Sequence, residues 1–139
     1  MWRQARVGSV ACVDRDGVMR WVAGYERAWR DGDVDGVARL FTEDARYLVS
    51  PYAQPRVGHD QIRAFWRDDV GRTFSVSAEP VAVEGRDAVV RLQVRYATPR
   101  AQEYQDLWLL HFADDGRVEH FEEWAFWPDK PWTAAGDVS

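Results

Sequence analysis

From Val18 to Arg30 the apolar residues Val18, Trp21, Val22, Tyr25 and Trp29 return every three or four positions, with Arg20, Glu26, Arg27 and Arg30 between them. Residues at that spacing share one face of an α-helix, so the stretch predicts an amphipathic helix. Gly32 ends it, and Asp33 is placed to cap a second helix with the apolar face Val34, Val37, Ala38 and Phe41. Ala45 to Ser50 reads as a short strand. Pro51, Pro55 and Gly58 then mark a loop, because proline lacks a backbone donor and glycine permits tight turns. A third helix, about His59 to Val70, buries Ile62, Phe65 and Trp66, and His59 reads as a surface residue capping its first turn. After Gly71 the period drops to two. Thr73–Glu84, Ala88–Thr98, Glu103–Phe112 and Arg117–Trp127 read as four long strands, the last two joined by a hairpin at Asp114-Asp115-Gly116.

Helices first and an antiparallel meander afterwards give an α+β class, with the helices packed on one face of the sheet. With no repeat and no linker, the chain reads as one domain over 18–128. A loosely held extension (1–17) precedes it and a tail (129–139) follows. The 139 residues suffice for one core without disulfide or metal support.

Composition narrows the function. The net charge is −5 and the basic residues are scattered, whereas a nucleic-acid groove needs clustered Lys and Arg to displace counterions. No apolar run approaches the ~20 residues that span a bilayer, and the first residues lack the apolar stretch of a secretory signal. Cys12 is the only cysteine, so no internal disulfide forms and a reducing, cytoplasmic location is expected. Aromatic residues make up 14% of the chain, with eight Trp, enough to wall a pocket, fill a core or make an interface.

The stretch GYERAWRDGDVDGVARLFTEDARYLVSPYAQPRVGHDQIRAFW, followed later by LHFADDGRVEHFEEW, resembles the nuclear transport factor 2-like superfamily. That group includes ketosteroid isomerases, SnoaL-like polyketide cyclases, scytalone dehydratase and limonene epoxide hydrolase. The similarity covers about Val18 to Pro128. It implies a cone-shaped, curved antiparallel sheet with three N-terminal helices enclosing a pocket. Laid alongside ketosteroid isomerase, Tyr25 takes the place of the oxyanion-hole tyrosine. Ser50 stands where that enzyme has its general base, and Trp108 where it has its second oxyanion-hole acid; Phe41 and Trp66 replace two supporting tyrosines. One of the three groups its mechanism needs is present, so the resemblance does not carry ketosteroid isomerisation over.

It does imply that position 108 faces inward. Strand alternation then turns Tyr104, Asp106, Trp108, Leu110 and Phe112 into the cone, with Val90, Leu92, Val94 and Tyr96 beside them. Phe121, Glu123, Ala125 and Trp127 face in from the last strand, while His120, Glu122, Trp124 and Phe126 face out. Asp106 and Glu123 thus fall opposite or diagonal on neighbouring strands. Two carboxyls in an apolar pocket raise each other's pKa, which is how a general acid or base near neutrality arises. SnoaL-like cyclases and limonene epoxide hydrolase use inward acids on these late strands, so the resemblance implies catalysis by Glu123 and Asp106, with Tyr25 orienting a substrate oxygen. The other reading is a buried pair satisfied by Arg or by backbone donors. Trp29, Tyr47, Tyr52, Trp66, Trp108 and Phe121 are the expected substrate contacts.

No metal site is expected, because His111 and His120 face outward without an inward third ligand. No cofactor is expected either: the glycines mark turns rather than a phosphate loop, and no G-x-S-x-G nucleophile motif is present. The ligand is expected to be a small apolar or cyclic molecule. The outward Trp124 and Phe126 imply a homodimer through the outer sheet face, as in the superfamily. A cofactor-independent isomerase, cyclase or hydrolase is thus the leading expectation. A non-catalytic binding domain and a dimerisation module stand as the alternatives.

Overall fold

The computed structural model describes residues 12–68, 73–98 and 100–129. Helix α1 spans Arg15–Asp31, beginning ahead of the first apolar position of its pattern. The cap explains the early start: the Asp14 carboxylate accepts the Gly17 amide at 2.7 Å, satisfying one of the donors that a helix start leaves over. At the other end Gly32 takes a φ of 64°, a left-handed turn that a residue with a Cβ adopts only under strain.

The second helix is shorter than the periodicity predicts. It forms a 3₁₀ turn, Val34–Gly36, and then α2, Val37–Leu40. Asp33 makes no side-chain cap and instead pairs with Arg39 at 2.7 Å. Phe41 begins strand β1, Phe41–Leu48, where Ala45 was expected to begin it. The cause is tertiary. Phe41 pairs with Val118 in the sheet. The Arg117 guanidinium donates to the carbonyls of Ala38 and Phe41 at 3.2 and 3.3 Å, taking up acceptors at the end of α2. His59 is likewise half-buried rather than a surface cap: its ring N–H donates to the Phe41 carbonyl at 2.8 Å.

A short strand, β2 (Arg56–Val57), forms inside the predicted loop by pairing with Arg46 and Tyr47. Helix α3 spans His59–Arg67; its predicted end at Val70 lies outside the described residues. The four long strands follow as β3 (Thr73–Glu84), β4 (Asp87–Thr98), β5 (Gln102–Phe112) and β6 (Val118–Phe126). The predicted hairpin turn closes β5 onto β6, with Gly116 at a φ of 89°.

The six strands form one curved, unclosed sheet in the order β2-β1-β6-β5-β4-β3, an α+β architecture with three helices. Every ladder is antiparallel except β1–β6, which is parallel. Hairpins dictate antiparallel pairing only between consecutive strands. β1 meets β6 with β2, α3 and β3 to β5 between them in the chain, so no hairpin sets its direction. The core lies between α1 and the concave face. Trp21 sits at its centre, edge-on to Phe41, Trp108 and Phe112, with its indole N–H donating to the Leu40 carbonyl at 2.9 Å.

Candidate active site

The β5–β6 register places Trp108 opposite Glu123 and Asp106 opposite Ala125. Asp106 and Glu123 are therefore diagonal neighbours on the concave face, near enough for their carboxyls to share a hydrogen bond. Leu92 of β4 flanks Asp106 on the other side, and only 6% of Asp106 is exposed. Burial is the largest influence on this acid, followed by the hydrogen bond to Glu123 and then its charge. All three act in one direction and push the Asp106 pKa up to about 10. At neutral pH Asp106 thus keeps its proton and donates it to the Glu123 carboxylate. Glu123 also accepts the Trp108 indole N–H at 3.3 Å. The second Asp106 oxygen, Oδ1, is buried with no hydrogen-bond partner.

The pair borders a cavity of about 200 Å³ between α1, α3 and the sheet. Of the sequence-predicted residues, Tyr25, Trp29, Tyr47, Trp66, Trp108, Asp106 and Glu123 all line it. The hydroxyls of Tyr25 and Tyr47 lie 2.7 Å apart and hydrogen-bond each other. Trp66 is buried, and its indole N–H has no hydrogen-bond partner.

The structure puts two predicted contacts elsewhere. Tyr52 is 97% exposed on the turn after β1 and does not border the cavity. Phe121 is fully buried behind the wall, stacked on Tyr47 at 4.5 Å and on Tyr25 at 5.6 Å. It supports the tyrosines instead of facing the cavity. Phe65, Tyr96 and Tyr104 also line the cavity. Strand alternation carried a signal for the two tyrosines, and the buried face of α3 carried one for Phe65.

His111 and His120 sit opposite each other on the outer face. His111 bonds Asp87 at 2.7 Å and contacts Glu119 at 3.2 Å, and His120 contacts Glu122 at 3.3 Å. Among the described residues no group of three or more His, Cys, Asp or Glu side chains is arranged to hold a metal ion.

The sequence pattern of the SnoaL-like domain matches residues 8–121, most of the chain. The protein belongs to the SnoaL-like domain family. Solved structures share the fold of this SnoaL-like domain. One is SalBIII, an epoxide hydrolase/cyclase-like enzyme with a role in pyran ring formation in the polyether salinomycin. It has a TM-score of 0.66 and 20% identity over 83% of this chain and 93% of that one. An LEH-like epoxide hydrolase of M. tuberculosis has a TM-score of 0.62 and 16% identity, over 80% and 84% of the two chains. An NTF2-like protein from Burkholderia xenovorans LB400 has a TM-score of 0.60 and 18% identity, over 81% and 92%. At these identities the likeness is one of fold. No curated protein sequence matches the chain. Among the described residues, no helix is long and apolar enough to cross a membrane.

Proposed function

We propose that this SnoaL-like domain binds a small, largely apolar cyclic molecule in its cavity. It acts on that molecule without a cofactor, as an isomerase, cyclase or hydrolase, by proton transfer at Asp106 and Glu123. The observation that carries the reading is the buried, protonated Asp106 hydrogen-bonded to Glu123 at the wall of a cavity. A structural ion pair would hold an acid's pKa down; here every influence raises it. Glu123 takes a proton from a substrate carbon or from water, and Asp106 gives one to a substrate oxygen. Passage of the proton from Glu123 to Asp106 across their hydrogen bond then restores the starting state. The Tyr25–Tyr47 hydroxyl pair and the Trp66 N–H are the donors placed to orient the substrate oxygen. A cavity of ~150 Å³ accommodates benzene, so the 200 Å³ here suits one substituted ring. The epoxide hydrolase-like neighbours support a substrate of this type.

The test is a panel of monocyclic epoxides and enolisable ketones, followed by NMR in heavy water for ring opening or carbon deuteration. Turnover that Asp106→Asn and Glu123→Gln each reduce by at least 100-fold is expected. Ligands that bind in the cavity without turnover would favour a non-catalytic binding domain. A homodimer through the outer sheet face belongs to the same proposal. It is supported by Trp124 and Phe126, which lie opposite Leu107 and Gln105 on the face turned from the cavity. A cytoplasmic location is proposed from the lone Cys12.

A further inference from the structure

The cavity wall is unusual in its charge. Among the described residues, eight of the fifteen that line it are aromatic, two are carboxylic acids, and none is Lys, Arg or His. Two nearby guanidiniums do not line it. Arg56 stacks on Phe65 at 4.1 Å from the ring centre. Arg30 is committed to Glu26 at 2.8 Å and to the Phe74 carbonyl at 2.6 Å. The acid pair shares one proton and so presents a single negative charge to the cavity. Its Oδ1 atom on Asp106 is a buried acceptor that no donor satisfies.

We infer that the cavity selects a compact apolar molecule carrying a cationic nitrogen, an amine or ammonium, over neutral and anionic molecules of the same shape. The inference rests on the cavity's being a ligand site and adds the charge of the ligand. Three features of the wall converge on that chemistry. Aromatic faces attract a cation through their quadrupoles, and more strongly where water is excluded. The unit negative charge of the carboxyl pair matches the unit positive charge of an ammonium, so the bound complex buries no net charge. The ammonium N–H groups also supply donors to Asp106 Oδ1 and to Glu123. A carboxylate in the same place would meet a like charge and no basic side chain.

The test uses the full chain and three probes of similar shape: cyclohexylamine, cyclohexanol and cyclohexanecarboxylate. Binding is followed by calorimetry and by the tryptophan indole NMR signals. Cyclohexylamine should bind at least tenfold tighter than cyclohexanol, and the carboxylate weakest of the three. Glu123→Gln should collapse the amine-to-alcohol ratio to within about threefold. Asp106→Asn, whose amide can still donate to Glu123, should keep the amine preference. Cyclohexanol binding as tightly as the amine, or an amine preference that survives Glu123→Gln, would overturn the inference and leave the cavity as a ligand site. If none of the probes perturbs the indole signals, the ligand-site reading falls with it.

Discussion

Asp106 holds its proton because three influences act together. The hydrophobic wall withholds water, Glu123 accepts the proton, and Glu123's charge opposes a second ionisation. The consequence for stability has a definite sign. The unfolded chain loses this proton near 3.8, while the folded chain keeps it to about 10. Between those values unfolding releases a proton, so the group destabilises the fold increasingly as pH rises, and its effect vanishes below the lower value. Each pH unit in that window corresponds to about 1.4 kcal/mol. Asp106→Asn keeps a donor for Glu123 and cannot ionise. It is expected to be more stable than wild type at pH 7 by about 2–4 kcal/mol, with the gap closing at pH 4. Urea unfolding of both proteins across pH reads this directly, and a variant less stable at pH 7 would show that Asp106 is a structural anion. The residue scale was the most legible in the sequence. Alternation along 104–112 and 121–127, oriented by the family resemblance that turns position 108 inward, put Asp106 and Glu123 on one face. It did not supply the register that made them diagonal, nor the exposure of Tyr52, since a turn carries no period.

At the scale of elements, helix α1 and the hairpin show two kinds of control. The start of α1 is local, since Asp14 caps it through a bond to Gly17. Asp14→Ala should lower stability by about 1 kcal/mol, read as a lower midpoint in thermal or urea unfolding. The end of α2 is not local. Arg117, from the turn after β5, reaches the Ala38 carbonyl in α2 and the Phe41 carbonyl at the start of β1, and also bonds Asp115 at 2.9 Å. Arg117→Ala should cost about 1–3 kcal/mol, because bonds from a charged donor are worth more than neutral ones. Hydrogen exchange should quicken at the Phe41 amide, which closes α2 onto Val37. Exchange there as slow as in wild type would mean that α2 ends by its own sequence. The apolar spacing of Val34, Val37 and Phe41 resembled a longer helix because periodicity alone cannot register a strand recruited from the far end of the chain.

For the whole molecule, two outcomes are expected. Sedimentation equilibrium at micromolar concentration should give twice the 16.1 kDa chain mass, and Trp124→Ala should shift the population toward monomer. Trp124 is only half-exposed in the single chain, its indole N–H donating to Glu122 at 2.6 Å. A monomeric wild type would assign it to the outer face of the sheet alone. A steroid ketone with a β,γ double bond should not be isomerised, because the 200 Å³ cavity is sized for one ring and Ser50 stands where the base would be. Measurable turnover, abolished by Tyr25→Phe, would reverse that conclusion.

The family resemblance set which strand face turns inward, and with it the face of the two acids. The sequence by itself determined the α+β class, the first and third helices and the four long strands. These follow from short-range periodicity and from turn chemistry, both written in neighbouring residues. The tertiary structure alone decided that β1 runs parallel to β6, that α2 is cut short, and that Phe121 lies behind the wall. It also decided that no basic side chain among the described residues enters the cavity. Each of these depends on contacts between residues far apart in the chain. The raised pKa of Asp106 has the same origin: it comes from what surrounds the carboxyl, and only the packed fold brings those surroundings together.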